Sequence, residues 1–300
     1  MSDVYLFGQV IVTHSFLLGG GFLKPDEYSE IDEHYSLPGG ETGTAATVLD
    51  SLGVSSTLAG TWQGPEAHKL MRDFYGSKKV DLSVLEFRED FPAVMDYVII
   101  TDDVRTPMGR FQHLAQSGKR WWNIPDEKDI IGCRAAAVDP YFGAESEKAA
   151  RICLDNGIPY VTIDCRHDSF LHRHAAVDVI SGECASQNYP GMEPEKIMEI
   201  MRETSEGLTI ITQGRGEMLF ARKGEKIKRM KPFSVRVKST LGAGDTYKAG
   251  CVYGVLKGFS DEELVRFASA CSGVAISRFP LPLDPPKLGE VQELIASQTE

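Results

Sequence analysis

Ser239-Thr240-Leu241-Gly242-Ala243-Gly244-Asp245-Thr246-Tyr247-Lys248-Ala249-Gly250 sets a turn of small residues, a carboxylate and a helix start within one short stretch. Upstream, Val235-Arg236-Val237 reads as strand-like. Downstream, Tyr247, Cys251, Val252, Val255 and Leu256 recur with helical spacing. The turn is therefore expected between a strand and a helix.

Gly242 and Gly244 carry no side chain to hold an anion away from the backbone, and the first N–H groups of a helix lack intrahelical acceptors. Such a terminus favours negative charge. An ionised Asp245 at its mouth accepts hydrogen bonds only, and can take the proton of a hydroxyl that attacks a phosphate. Taken alone, the same stretch also fits an ordinary turn followed by an acidic residue in a first helical turn. The rest of the chain has to decide.

With 300 residues, 42% apolar and 25% charged, the chain suits one large globular domain with room for a small appendage. A formal charge of -11 and the lack of a Lys/Arg-rich run argue against a nucleic-acid surface. The first residues pass directly into an apolar strand-like run without a basic segment, so no signal peptide is expected, and no stretch has the length of a membrane span. Six scattered cysteines without a CxxC pair read as reduced, mostly buried thiols of a cytoplasmic protein.

Short apolar runs alternate with helical segments: Val4 to Phe7, Thr44 to Leu52 (helical), Ala135 to Val138, Ser146 to Asn156 (helical), Tyr160 to Ile163, Val177 to Ile180, Glu193 to Ser205 (helical) and Leu208 to Thr212. This rhythm predicts a doubly wound α/β domain with a mainly parallel sheet flanked by helices. Two segments break it. Phe16 to Pro38 is polar and weakly alternating, and Val94 to Thr101 and Thr106 to Gln112 read as strands joined by a turn at Asp102-Asp103. A small β-sheet lid over the ligand-binding edge is expected from residues 13–38 and 93–112, the α/β body taking 1–12, 39–92 and 113–300. The tail from Pro280 to Pro286 reads as a crossing loop before a last helix.

Gly242-Ala243-Gly244-Asp245 with Ala249-Gly250 resembles the C-terminal signature of the ribokinase (PfkB-type) carbohydrate and nucleoside kinases. Gly39-Gly40, Ala45-Ala46 and Leu52-Gly53 resemble the N-terminal signature of that family. Gly60 with Gly64 resembles its next loop, and Thr212-Gln213-Gly214 the strand end that meets nucleotide phosphates. The likeness runs over nearly the whole chain. It implies a ribokinase-like fold with a lid, and transfer of the ATP γ-phosphate to a hydroxyl with Mg2+. It also implies Asp245 as catalytic base and Gly242, Ala243 and Gly244 as an amide cradle. Thr212 and Gly214 are implied at the phosphates, and Ala270 to Val274, with Gly273, near adenine.

The chain departs from the family pattern in four places. Thr13 stands where an Asp usually binds substrate hydroxyls, and Thr44 where an Asn does; with Gly39 and Gly40 they form the expected substrate side. Gly182-Glu183-Cys184-Ala185 replaces an Asn-x-x-Glu element, leaving Glu183 as the candidate metal ligand. Ser239 replaces the Asp that opens the last signature, so K+ is carried as an open question.

Arg166, in Asp164-Cys165-Arg166-His167-Asp168, has two readings of equal weight: an oxyanion contact or a surface ion pair. Arg105, on the lid hairpin, is a candidate for an anionic substrate, with a solvated face as its plain alternative. His167, His172 and His174 lack a standard ligand spacing and read as surface residues, and Trp121-Trp122 as packing. No G-x-x-x-x-G-K-[ST] occurs, and the glycines at 242, 244 and 250 do not match G-x-G-x-x-G.

The combined expectation is an ATP- and Mg2+-dependent kinase acting on a sugar or sugar derivative. Its rivals are a nucleoside kinase of the same fold and a catalytically degenerate binding or regulatory member. A homodimer through the lid is the expected assembly, because lid edges present unpaired strand groups.

Overall fold

The computed structural model describes residues 2–22, 25–101 and 104–298. In chain order the strands are β1 Val4–Gly8, β2 Ile11–Leu18, β3 Ile31–Gly39, β4 Ser56–Gly60, β5 Val80–Asp81, β6 Met95–Thr101 and β7 Val104–Gly109. They continue as β8 Ala135–Val138, β9 Tyr160–Ile163, β10 Val177–Ser181, β11 Leu208–Thr212, β12 Met218–Ala221 and β13 Lys228–Met230. Nine of them form one sheet in the order β13-β12-β11-β10-β9-β8-β1-β4-β5. From β11 to β5 every pairing is parallel, and β12 and β13 return antiparallel at the far edge.

The central strands are apolar without alternation because helices cover both faces of the sheet. Along β1, Val4 and Leu6 join a cluster with Leu49, Cys251 and Val265, whereas Tyr5 and Phe7 join another with Phe142 and Ala149. Helices Gly40–Ser51, Ala243–Lys257 and Asp261–Ile276 thus lie over one face, and Ala144–Asp155 over the other. Ser260 starts Asp261–Ile276 with a capping box closed by Glu263.

The remaining strands form a separate four-stranded sheet in the order β3-β2-β6-β7. Only Gln9 and Val10 separate β1 of the large sheet from β2 of the small one. The Gln9 carbonyl accepts the N–H groups of Thr42 and Gly43 at 3.1 and 3.4 Å, tying this junction to the start of Gly40–Ser51. In the small sheet β2 pairs antiparallel with β3 and parallel with β6, placing Thr13 beside Leu37 and Asp96.

Two local expectations differ from the structure. Val235-Arg236-Val237 forms no ladder; the chain there runs beside the end of Asp261–Ile276, with Lys238 and Ser239 donating to the Ile276 carbonyl. Alternation was present, but a partner edge was not. The second hairpin strand spans Val104–Gly109, and Phe111–Gln116 turns helical, its Phe111 and Leu114 packing on the Tyr5 cluster. The proposed turn residues Asp102 and Asp103 lie outside the described residues. All six cysteines are free thiols, five of them buried. Among the described residues no helix is long and apolar enough to cross a membrane.

Candidate active site

The C-terminal ends of the parallel strands and the inner face of the small sheet enclose a cleft of about 1170 Å³. Drug-sized ligands commonly fill roughly 300–1,000 Å³, so the volume suits two ligands side by side. Gly242, Ala243, Gly244 and Asp245 line its floor, with Thr13, Gly39, Gly40, Thr44 and Arg105 at one end and Glu183, Thr212, Gly214 and Gly273 at the other.

Gly242 is the N-cap of Ala243–Lys257 in the left-handed conformation, φ 79°, which costs a residue with a side chain roughly 1–2 kcal/mol. A Cβ there would also meet Thr44 and Leu281 at 3.3 Å, whereas one on Gly244 would meet nothing within 4 Å. The N-terminus of this helix is therefore open to the cleft at Gly244. The amide of Ala243, expected in the anion cradle, is already directed at the Thr240 carbonyl, at a long 3.3 Å.

Asp245 lies in the first turn, deep in the cleft yet open to it. Burial raises its carboxyl above the ordinary range; Lys248 opposes this most strongly, Asp139 adds to it, and Arg105 and the Thr44 hydroxyl favour the ionised form. Lys248 is fully buried. Its ammonium sits 2.5 Å from Asp139 Oδ1, while Thr42 donates to Asp139 Oδ2 at 2.6 Å. A Cβ on Gly8 would come within 2.0 Å of that same Oδ2, so the end of β1 must be bare for Asp139 to fit.

Two further carboxyls face this floor. Glu41, in the first turn of Gly40–Ser51, is pushed up to about 8, chiefly by burial and then by the charge of Asp245. Asp96 on β6 is pushed up to about 6 by burial, against a hydrogen bond from Thr13. Glu41 Oε2 and Asp96 Oδ1 are both buried without a hydrogen-bond partner. Sequence reasoning missed Glu41, Asp96, Asp139 and Lys248. Each carried a signal: Glu41 follows Gly39-Gly40, Asp96 interrupts an apolar strand, Asp139 ends one, and Lys248 is a lone cation in an apolar helical stretch.

At the other end, Asp164 closes β9 with φ 47°, a strained value for a non-glycine residue, and its Oδ1 accepts the Ser181 N–H at 2.7 Å. Burial raises its carboxyl, and the charge of Glu183 adds to the rise. These two acids are therefore electrostatic neighbours on the cleft wall. A Cβ on Gly182 would sit 3.1 Å from the Thr212 carbonyl, so a residue with a side chain there would crowd β11.

Two candidate residues are not brought to the cleft. Ala270 is fully buried in the core of the large domain, because Ser269, Ser272, Gly273 and Ile276 share the helix face turned to the cleft and Ala270 lies about 100° round from it. Arg166 pairs with exposed Asp168 at 3.2 Å and is not among the cleft residues. Of the histidines, His172 is buried against Asp178 at 2.6 Å, contrary to a surface position, and His174 pairs with Glu206. No group of three metal-ligating side chains occurs among the described residues. Trp121 and Trp122 pack on Phe142.

A layered α/β body, a small sheet over its strand ends and an acid at a helix N-terminus define the class of ribokinase-like kinases. The sequence model of the pfkB family carbohydrate kinases matches residues 1–281, and the chain belongs to that family. A 5-dehydro-2-deoxygluconokinase of Bacillus licheniformis is 28% identical over 114 residues, 38% of this chain and 35% of the relative. That of Clostridium botulinum is 27% identical over 288 residues, 87% of this chain and 85% of the relative. The chain thus spans about a third of the length of the first of these relatives. An Arabidopsis thaliana ribokinase solved with ribose and ATP superposes with a TM-score of 0.78 at 16% identity, over 98% of each chain.

Proposed function

We propose that this chain transfers the γ-phosphate of ATP to a hydroxyl of a sugar or sugar derivative. The observation that carries this reading is Asp245, held at the open start of Ala243–Lys257 between the two ends of one cleft. Asp245 takes the proton of the attacking hydroxyl, and Lys248 and Arg105 support its charged form. Thr212, Gly214 and the helix N-terminus hold the phosphates, with the adenine lying toward Phe233, Gly273 and Ile276. Thr13, Gly39, Gly40, Thr44 and Arg105 form the sugar end. The small sheet acts as the lid, excluding water so that the phosphoryl group goes to the sugar.

Asp164 and Glu183 fit a magnesium ion that arrives with the nucleotide. Mg2+ is commonly bound through one or two carboxylates plus substrate phosphates, with no all-protein cage, and two neighbouring acids on the phosphate wall meet that need. When bound, the ion neutralises phosphate charge.

The lid also offers a surface for a second copy of the chain. β3 and β7 are its free edges, and Ile31, Tyr97, Val104 and Met108 are exposed on its strands. A monomeric mass in solution would remove this assembly from the proposal.

ADP release from MgATP over a panel of ketoses, aldoses, sugar acids and nucleosides, in sodium and in potassium buffer, tests the reading. Sugar-dependent release that Asp245→Asn abolishes supports it. Release driven only by nucleosides moves the assignment to the nucleoside kinases, and full activity of Asp245→Asn overturns the mechanism.

A further inference from the structure

Resting on the kinase reading, we propose that Asp96 and Glu41 are the specificity-determining contacts of the sugar end, each offering its unpartnered oxygen to a hydroxyl of the acceptor. Thr13 and Asp96 are register partners on the parallel strands β2 and β6, both lining the cleft. Thr13 favours the ionised form of the Asp96 carboxyl, whose Oδ1 is buried and unsatisfied. Glu41 reaches the same space from the opposite side, out of Gly40–Ser51, with Oε2 equally unsatisfied.

A buried acceptor without a partner costs about 1–3 kcal/mol, so two of them beside the base Asp245 are retained at an energetic cost that a donor-bearing ligand relieves. The positions of the two groups in the titration scale give them complementary roles. Near pH 7 Asp96 is mostly ionised and accepts, while Glu41 is mostly protonated and can also donate. The ligand this pair selects is a polyol with hydroxyls flanking the one phosphorylated. A polar site of this kind discriminates sharply against an analogue that lacks the hydroxyl, because its own buried group is then left unpaired.

Thermal-shift titrations with D-ribose, D-fructose, D-gluconate, D-glucosamine and adenosine, each with MgADP, test the assignment on wild type, Asp96→Asn and Glu41→Gln. MgADP alone reports folding and the nucleotide end, and the MgADP concentration that gives half of its shift is expected to be unchanged in both variants. The sugar that stabilises the wild type is expected to bind Asp96→Asn about ten- to a hundredfold more weakly, the worth of a hydrogen bond to a charged group. Single-deoxy analogues of that sugar give the same answer without mutation: one of them loses a similar factor on the wild type, and Asp96→Asn no longer differs from wild type for it. Equal sugar affinity in wild type and both variants overturns the assignment and leaves the kinase reading standing. No stabilisation of the wild type by any of these sugars, with MgADP still binding, overturns both.

Discussion

Lys248 stands one helical turn beyond Asp245, and its ammonium meets Asp139 Oδ1 at 2.5 Å with both side chains fully buried. The pair lies beneath the floor of the cleft, and its cation is the strongest influence holding Asp245 toward its charged form. Removing one partner of a buried ion pair leaves the other uncompensated, at a cost of roughly 3–5 kcal/mol. Lys248→Met is therefore expected to lower the melting temperature by roughly 6–20 °C. It should also move the acid limb of the pH–rate profile upward, because Asp245 then gives up its proton at higher pH. An unchanged melting temperature would refute the buried ion pair as a support of the fold.

Asp245→Asn keeps the shape of the floor and removes the proton acceptor. Turnover should fall by about 10²–10⁴-fold, with MgADP affinity within a factor of about two, since the N-terminal amides of the helix are untouched. Steady-state kinetics beside a nucleotide titration separates the two effects.

Gly242→Ala tests the turn itself. Its φ of 79° and the 3.3 Å approach to Thr44 and Leu281 leave no relaxed place for a methyl group. A loss of about 1–2 kcal/mol of stability is expected, together with a drop in kcat, because the methyl group would displace Thr44, which favours the ionised form of Asp245. The corresponding change at Gly244, where space is open, should leave the melting temperature within about 0.5 kcal/mol equivalents of wild type.

Glu41 gives a pH signature of unusual sign. Its folded value of about 8 lies above the ordinary 4.5, so between those limits the native state holds a proton that the unfolded chain has released. Stability from this group is full below about pH 4.5 and declines as pH rises toward 8. Glu41→Gln should therefore melt close to wild type at pH 5 and higher than wild type at pH 8.5, by about 2–4 °C for each kcal/mol involved. A variant that melts lower than wild type at pH 8.5 would refute the raised value.

The alternation of short apolar runs with helical segments foretold β1 and β8 to β11 of the large sheet, since strands buried on both faces need no polar alternation, whereas β4, β5, β12 and β13 went unread. The turn at Gly242 to Asp245 was equally legible because its residue types are tied to one backbone shape. What local patterning could not supply was convergence. Asp139 and Lys248 are 109 residues apart in sequence, and each by itself is an ordinary charged residue at the end of a strand or inside a helix. Ala270 adjoins the cleft-facing residues in sequence, but the helical face turned to the cleft passes through Ser269, Ser272 and Gly273. Val235 to Val237 show the converse, a strand-like pattern that found no neighbouring edge.

The pairing of Thr13 with Asp96 bears on how relatives of this chain are compared. Residues at one level on adjacent strands of a sheet, projecting to the same side, reach nearly the same point in space from different places in the sequence. An acid on either strand gives the cavity the same charge, while a comparison read column by column sees only a substitution at position 13 and an unrelated carboxylate at position 96. Positions 13 and 96 are therefore one place in the cavity, and a comparison that treats them together sees a charge that single motif positions would miss.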